Sequence, residues 1–378
     1  MDPIILTKKL ISIPSYVHDK TNEKELADFI YKYLKKIPFL IKLEKQKMGR
    51  GRFNIIAGDG FKPKLLLISH MDTVEPRGWK RNPFEGTIKG NKLYGLGSMD
   101  MKGGLAAILS SLKDFRKTRG LMLLFYCDEE YDFKGMKKFI NEYKIFPQLA
   151  LSAEPTDLKI WNGARGIIKI SFQAKGKTAP ASRQDLGKNA IWGATGAIKF
   201  LEKKLKKYKT KNLGPSTCNL AAIFGGLDLG KDKNGKQIIS QQGDAVPDIA
   251  QVMLDIRSGH PFLSSEIIKK TLIDFLLQKK FKLIKFIVHH NLEAFYTEQK
   301  ELKLVEKIIK ETIGKADYLN LRQMGYQDIQ MINKKFRIPA LSFGPRGGQR
   351  HQPDEWVWIK DLDRIKKIYQ DLIRQYCS

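Results

Sequence analysis

The chain is poor in cysteine and has no long apolar run. Its 378 residues include only Cys127, Cys218 and Cys377. An odd number of widely spaced cysteines argues against a disulfide scaffold and favours a reducing, cytoplasmic setting. Apolar runs such as 64–68 have the length of a strand rather than of a membrane span. The first residues carry charges where a signal peptide needs an apolar core, so we expect neither secretion nor a membrane partner.

Acidic residues are scarce relative to basic ones. Asp and Glu total 40 against 68 Lys and Arg, which gives a formal net charge of +28. A nucleic-acid or acidic-lipid partner would explain such a charge. However, only 15 of the basic residues are the Arg that base readers favour, the Lys are spread along the chain, and no nucleic-acid motif is found. We therefore interpret the charge as a solvated Lys-rich surface that can attract an anionic substrate, and we do not expect a nucleic-acid partner.

The first part of the chain, up to residue 163, alternates helical and strand patterns. Apolar periodicity and turn residues predict helices at 23–36 and 101–115 and strands at 64–69, 121–127 and 148–153. This alternation indicates an α/β fold with a mostly parallel sheet flanked by helices. In such sheets, ligands bind beyond the carboxyl ends of the strands.

A different pattern begins near residue 165 and indicates an inserted α+β domain. The order is strand, helix, strand, strand, helix, strand, at 167–174, 187–207, 218–224, 249–256, 264–277 and 281–289. This β-α-β-β-α-β order predicts a ferredoxin-like domain. Its polar connection at 225–248 predicts an exposed loop or hairpin. A helix at 299–314 and a strand at 340–343 return to the first pattern, so we expect a discontinuous domain (1–164 and 292–378) around an insert (165–291).

Histidines and carboxylates follow the predicted strands. They form five short motifs: His70-Met71-Asp72, Asp100, Glu129-Glu130, Glu154 and His351. Imidazole and carboxylate, without thiolate, suit hard or borderline divalent metals, and a pair of such metals activates water at neutral pH. Each motif alone is weak, and a His-x-Asp pair without a metal is the more frequent case. Together they predict a metal centre.

Two of these motifs have competing interpretations. The segment 95–104 resembles a nucleotide-binding loop, but Asp100 breaks the G-x-G-x-x-G spacing and would repel phosphate. Three consecutive carboxylates at 128–130 would raise one another's pKa unless a cation lies between them, and a solvated acidic turn fits poorly directly after an apolar strand. One Glu of this group can bind a metal while its neighbour takes a proton from water.

The complete set of motifs resembles the M20 metallopeptidase family. This family includes succinyl-diaminopimelate desuccinylase, acetylornithine deacetylase, carboxypeptidase G2 and aminoacylase. The matching stretches include LLLISHMDTVEPRGWKRNPF, LYGLGSMDMKGGLAA, YCDEEYDFKG, SAEPTD, DAVPDIAQVMLDIR and SFGPRGGQRHQPDE. They run from residue 65 to 355, so the resemblance covers essentially the whole chain. It implies a zinc-peptidase-like catalytic domain with an inserted lid or dimerisation domain.

The resemblance also implies roles for individual residues. His70 and Glu154 would hold one metal ion, Glu130 and His351 the other, and Asp100 would bridge both. The ions would be Zn²⁺, with Co²⁺ or Mn²⁺ as alternatives. A bridging hydroxide would attack the amide carbonyl of an N-acyl amino acid or small peptide, with Glu129 as general base and Asp72 orienting His70. Arg257 would bind a substrate carboxylate, although a surface Arg is an equally good interpretation.

The chain departs from the family pattern in the insert. The family's Gly-Lys-x-x-His-Ala-Ser-x-Pro motif is here GKTAPASRQ, so Pro180 replaces the histidine that stabilises the oxyanion, often from a partner subunit. Losing one such donor can cost roughly 10²–10³-fold in turnover. Another lid donor (His260, Lys177 or Arg183), a slow specialised enzyme, or an impaired protein that binds metal and a carboxylated ligand would each explain the change. A homodimer through the insert is a further implication of the resemblance.

Overall fold

The computed structural model describes residues 2–18, 21–240 and 243–378. The chain folds into two compact units. The first unit comprises Met1–Gly163, Tyr296–Asn320 and Gln327–Ser378, and the second comprises Ala164–Phe295 and Leu321–Tyr326. The segment Leu321–Tyr326 belongs to the second unit.

The described residues form nine α-helices: α1 Pro3–Ile11, α2 Lys24–Leu34, α3 Gly103–Ser111, α4 Lys134–Glu142, α5 Ala190–Leu205, α6 Ser265–Gln278, α7 Lys303–Ile313, α8 Ile329–Phe336 and α9 Ile359–Tyr376. They also form nineteen strands: β1 Lys42–Gly49, β2 Arg52–Gly58, β3 Leu65–His70, β4 Thr87–Lys89, β5 Lys92–Tyr94, β6 Leu121–Tyr126, β7 Leu149–Ser152, β8 Gly163–Ala164, β9 Gly166–Lys175, β10 Lys209–Thr210, β11 Gly214–Pro215, β12 Thr217–Lys231, β13 Gln237–Ser240, β14 Ile249–Ser258, β15 Lys282–Leu292, β16 Phe295–Tyr296, β17 Ala340–Ser342, β18 Gly347–Gly348 and β19 Trp356–Trp358. A short π-helical turn occupies Ser98–Lys102. Short 3-10 helices occupy Leu112–Asp114, Ala181–Leu186 and Gln299–Leu302.

The main sheet of the first unit has six strands in the order β1-β2-β6-β3-β7-β17. Strands β6, β3, β7 and β17 run parallel, and the β1–β2 hairpin continues the sheet antiparallel. Every residue of β3, β6 and β7 is buried, as expected for parallel strands that are covered on both faces. Helix α3 packs against α1 and α9, and their apolar faces share one core with these strands. The predicted mostly parallel sheet with flanking helices is therefore confirmed.

The register of the parallel strands brings their carboxyl ends together. His70 at the end of β3 is paired with Tyr126 at the end of β6, and Ile68 is paired with Ser152 at the end of β7. The residues that follow these strands consequently leave the sheet at one edge. This edge carries the functional site described below.

A small antiparallel sheet in the order β18-β19-β5-β4 holds two further segments of the functional site in position. The turn between β18 and β19 carries His351 and Glu355, and the chain between β5 and α3 carries Asp100. Pairing of β19 with β5 therefore fixes the two segments relative to each other. None of these four short strands was expected from the sequence.

The second unit has the β-α-β-β-α-β order predicted from its sequence. Its antiparallel sheet runs β13-β12-β14-β9-β15, and α5 and α6 share a core with the strands. The connection predicted at 225–248 is largely a β12–β13 hairpin, apart from residues 241 and 242, which lie outside the described residues. The expectation of a ferredoxin-like α+β insert is thereby confirmed. Across the described ranges, no helix has both the length and the apolar character needed to span a membrane.

Candidate metal centre

Two groups of side chains meet at the carboxyl edge of the main sheet. The first, which we name the His70 trio, consists of His70, Asp100 and Glu154. His70 Nε2 lies 3.2 Å from Asp100 Oδ1 and 3.5 Å from Glu154 Oε1. All three residues are buried, so their side chains face one another rather than solvent.

The second group, the His351 trio, consists of Asp100, Glu130 and His351. His351 Nε2 lies 3.1 Å from Asp100 Oδ2 and 3.0 Å from Glu130 Oε1. Asp100 therefore belongs to both trios and offers one oxygen to each histidine. The side chain of His351 is 41% exposed, so this side of the centre is open to solvent.

The Asp100 segment is held by Glu355, which is buried. One carboxylate oxygen of Glu355 accepts hydrogen bonds from the N–H groups of Met99 and Asp100, and the other accepts one from Gly97. Gly97 has a φ of 77°, a left-handed conformation that glycine adopts without steric cost. The Asp100–Met101 peptide bond is cis.

A close approach of helix α3 to β7 brings the Asp100 segment near Glu154. A Cβ atom on Gly104 would lie 2.2 Å from the carbonyl oxygen of Ala153, the residue before Glu154. Only glycine fits there, because real Cβ contacts of this length do not occur. The Gly-rich segment therefore packs a helix against a strand end.

Asp72 contacts both its predicted partner and the following acidic turn. Its carboxylate accepts hydrogen bonds from the N–H groups of Glu129 and Glu130, at 3.1 and 2.9 Å. His70 Nδ1 lies 3.0 Å from the backbone carbonyl oxygen of Asp72 and 3.6 Å from its carboxylate. A His that donates Nδ1–H to a carbonyl presents Nε2 for metal binding. Asp72 is thus placed to orient His70 through its main chain and the two glutamates through its side chain.

The carboxylates have the unusual pKa values expected of like charges in a buried cluster. Burial, with the charges of Glu154 and Asp328, raises the pKa of Glu129 well above its ordinary value. Burial and the neighbouring Asp100 raise the pKa of Glu154 to about 8. Asp100 behaves oppositely: burial alone would raise its pKa, but the charge of Arg350 and hydrogen bonds from both histidines hold it well below its usual range.

The donor set fits divalent metal ions. The ligand atoms of each trio lie within 4.8 Å of one another and comprise only imidazole nitrogens and carboxylate oxygens. The buried oxygens Glu130 Oε1 and Glu154 Oε1 have no aligned hydrogen-bond donor, even though a histidine nitrogen is near each. Buried acceptors without a donor are costly unless another partner satisfies them, and a cation would do so here. His70, Asp100, Glu130, Glu154 and His351 are the five ligands expected from the sequence.

Three residues near the centre were not assigned from the sequence. Arg350 forms an ion pair with Asp100, its Nε lying 2.5 Å from Oδ2. Glu355 is the last residue of the matching stretch SFGPRGGQRHQPDE, but the sequence predicted no function for it. Asp328 is buried, and burial, together with the charge of Asp72, raises its pKa to about 6 even though Tyr126 and His70 act to lower it.

The remaining predicted residues belong to the second unit. Arg257 is the penultimate residue of β14. Its Nε lies 2.9 Å from Asp255 Oδ1, and its guanidinium is 5.9 Å from the Tyr326 ring centroid. Its side chain is 36% exposed. Arg165 donates a hydrogen bond to the carbonyl oxygen of Arg257, so two guanidinium groups lie in the same part of this unit.

Pro180 precedes a short helical turn in the second unit. It forms an isolated antiparallel bridge with Ala245, and its ring has no hydrogen-bond donor. Of the alternative lid donors, Arg183 pairs with Asp185 on the surface, and the His260 ring packs against Tyr208 and Phe262. These contacts assign a structural partner to two of the three candidates.

Comparison with known proteins places the chain in a family. The sequence profile of peptidase family M20/M25/M40 matches residues 66–375. Acetylornithine deacetylase of Buchnera aphidicola subsp. Schizaphis graminum is 30% identical over 395 aligned residues, covering 99% of this chain and 98% of that protein.

Solved structures agree with the fold. Aminopeptidase PepT from Bacillus cereus superposes with a TM-score of 0.75 at 18% identity and covers 99% of this chain and 98% of its own. A dinuclear metal-binding M20 peptidase from Bacillus subtilis superposes with a TM-score of 0.64 at 13% identity, covering 98% and 96%. Because the family profile spans most of the sequence, this chain is a hydrolase of peptidase family M20/M25/M40.

Proposed function

We propose that the protein hydrolyses the amide bond of an N-acyl amino acid or a small peptide with two divalent metal ions, Zn²⁺ being expected. The observation that carries this proposal is the pair of His and carboxylate trios that share Asp100 and lie beside Glu129. His70 and Glu154 would hold one ion, His351 and Glu130 the other, and Asp100 both. When bound, such ions supply Lewis acidity and lower the pKa of water.

Glu129 is the proposed proton carrier. Its carboxyl has a raised pKa, which suits a group that takes a proton near neutral pH and later returns it. It would accept a proton from the attacking water as the carbon–oxygen bond forms. It would then deliver that proton to the leaving nitrogen as the carbon–nitrogen bond breaks. Asp72 would keep Glu129 in place through the hydrogen bond to its main chain.

The substrate class is supported by the family relatives and by Arg257. The relative that is 30% identical is named as a deacetylase of acetylornithine, and the fold neighbour from Bacillus cereus as an aminopeptidase. Both names describe cleavage at an amide nitrogen. Arg257 remains our proposed carboxylate-binding residue because its planar guanidinium can bind a carboxylate through two nitrogens. Lys at this position would keep the charge but lose that geometry.

A catalytically impaired protein that binds metal and a carboxylated ligand is the second candidate. Pro180 favours it, since proline offers no donor where the family motif has histidine. The preserved Glu129 favours catalysis, because a protein that only binds metal needs no proton carrier.

We further propose that residues 1–164 and 292–378 form the catalytic domain. Residues 165–291 would form a lid and dimerisation domain, and the chain would act in the cytoplasm, where its three free cysteines stay reduced.

The first experiment reconstitutes metal-free protein with Zn²⁺, Co²⁺ or Mn²⁺. Hydrolysis is then followed on N-acetyl and N-succinyl amino acids and on di- and tripeptides. We expect turnover that requires metal and falls by at least about 10²-fold in Glu129→Gln. Glu311→Gln, on the exposed side of α7, is the matched control and should retain full turnover. Two bound metals without turnover on any substrate would instead support the impaired candidate.

A second experiment tests the lid. If the missing histidine limits turnover, Pro180→His should raise it, whereas the exposed neighbour Ser182→His should not. Unchanged turnover across the same panel would show that position 180 is not limiting.

Size-exclusion chromatography with light scattering tests the proposed homodimer, which a monomeric mass at micromolar concentration would contradict.

A further inference from the structure

Arg350 reaches into the metal centre from the turn that carries His351. Its Nε lies 2.5 Å from Asp100 Oδ2, and its Nη2 lies 3.6 Å from Glu154 Oε2. The turn has positive φ at Gln349 and His351, 58° and 59°, and these left-handed residues bracket Arg350. Two consecutive side chains, Arg350 and His351, therefore contact the same carboxylate, Asp100.

Arg350 contacts carboxylates of both trios. Glu154 belongs to the His70 trio alone, whereas Asp100 is shared by both trios. The Asp100 oxygen that Arg350 contacts is Oδ2, which is also the oxygen nearest His351 Nε2, at 3.1 Å. The guanidinium therefore lies against a carboxylate oxygen on each side of the centre.

A guanidinium and a divalent ion compete when they use the same carboxylates. Both are cations that approach oxygen closely, and like charges at such distances repel strongly in a partly buried site. Arginine stays charged at any pH at which the protein is folded, so deprotonation cannot remove this competitor. The side chain of Arg350 is 40% exposed, which leaves it room to turn towards solvent.

We propose that Arg350 is an internal competitor for both divalent ions of the centre. This inference rests on the proposed two-metal function. An ion that binds the His351 trio competes with the guanidinium for Asp100 Oδ2, and an ion that binds the His70 trio competes with it for the Glu154 carboxylate. Arg350 thereby determines how much metal the protein needs to hold both ions.

The test is calorimetric titration of metal-free protein with Zn²⁺, which measures metal binding independently of catalytic activity. Two neutral replacements, Arg350→Met and Arg350→Gln, are compared with the unaltered protein, and circular dichroism verifies that each variant is folded. Arg81→Met is the matched control. It also removes a positive charge, one that pairs with Asp354 only three residues from His351, but it lies outside both trios.

The unaltered protein is expected to bind two zinc ions. In both Arg350 variants the two dissociation constants should fall by about 10- to 100-fold, the range for losing a charge-assisted contact. Arg81→Met should leave both dissociation constants unchanged. Glu154→Gln should abolish one binding step and keep the other.

Other outcomes would overturn the inference. The same tightening in Arg81→Met would show a general charge effect, and dissociation constants unchanged in the Arg350 variants would show that Arg350 does not compete. Loss of both steps in Glu154→Gln would overturn the assignment of one ion to each trio. Absence of any zinc binding in every variant would instead refute the proposed function itself, and is distinguishable because no binding step would then exist to shift.

Discussion

Replacing Glu355 tests how strongly the Asp100 segment depends on one buried carboxylate. Both oxygens are used: Oε1 accepts from Met99 and Asp100 at 2.8 and 3.0 Å, and Oε2 accepts from Gly97 at 3.0 Å. The side chain is 1% exposed, so solvent does not replace these bonds directly. Burial raises the pKa of Glu355 to about 7, and the three N–H groups partly offset this effect.

The expected loss of stability differs between two substitutions. Glu355→Ala leaves three N–H groups without an acceptor, and each buried unsatisfied donor costs about 1–3 kcal/mol. Because the segment can relax and admit water, we expect about 3–5 kcal/mol in total. Glu355→Gln can keep its oxygen at the Oε1 position and so retain two of the bonds. Its amide group would then face the Gly97 N–H, and we expect a loss of about 1–2 kcal/mol.

Urea unfolding monitored by circular dichroism, with thermal scans, measures these losses. The two units can unfold in separate transitions, so the transition that belongs to the first unit must be identified and fitted alone. Asp354→Asn serves as control, since the Asp354 carboxylate is 60% exposed and pairs with Arg81 at the surface, a contact worth about 0–1 kcal/mol, and asparagine tolerates the left-handed φ of 64° at this position. The reasoning fails if Glu355→Ala costs no more than the control, or if the Gln variant is as unstable as the Ala variant.

Further outcomes follow from packing and burial. Gly104→Ala should destabilise the first unit by about 1–3 kcal/mol and weaken zinc binding, because the added Cβ meets the main chain beside Glu154; Gly325→Ala, where a Cβ meets nothing within 4 Å, should change stability by less than about 0.5 kcal/mol. Burial raises the pKa of Cys218 and Cys377 to about 12 and holds the pKa of Cys127 well above its ordinary value. Iodoacetamide at pH 8 should therefore leave the native thiols largely unmodified in intact mass spectra but label all three after denaturation. Zinc at 100 times its dissociation constant should raise the unfolding free energy of the first unit by about 2.7 kcal/mol, and an unchanged melting temperature would contradict metal binding to the folded state.

Much of the fold could be predicted because its elements have strong local signals. The runs that became β3, β6 and β7 are continuously apolar and bounded by turn residues, so their limits were found within about two residues. The second unit alternates clearly, and all six of its main elements were expected. The β1–β2 hairpin and the sheet of β18, β19, β5 and β4 were not expected. β1 is mostly polar, and the four strands of the small sheet have only two or three residues each, so pairing with other strands stabilises them more than their own sequence does.

The candidate site divides in the same way. Ligands could be proposed because chemically compatible residues follow predicted strand ends, where topology gathers them. The role of Glu355 could not be predicted, because its hydrogen-bond partners lie about 255 residues earlier and are backbone groups that no sequence pattern reveals. Arg350 was overlooked for a related reason. A residue beside a motif histidine gives no sign of whether its side chain turns inward until the backbone of the turn is known.

Charge balance links these overlooked residues to the ligands. Glu129, Glu130 and Glu154 have raised pKa values, first through burial and then through one another and Asp100, so the folded centre is electrostatically unfavourable by itself. Glu355 fixes the position of Asp100 with neutral hydrogen bonds, whereas Arg350 adds a positive charge to the same group. Arg350 thus reduces the repulsion among the carboxylates. It also opposes the binding of metal ions, which would reduce that repulsion more fully. The stability of the metal-free fold and the affinity of the centre for metal are therefore in conflict at Arg350, and substitutions there should trade one against the other.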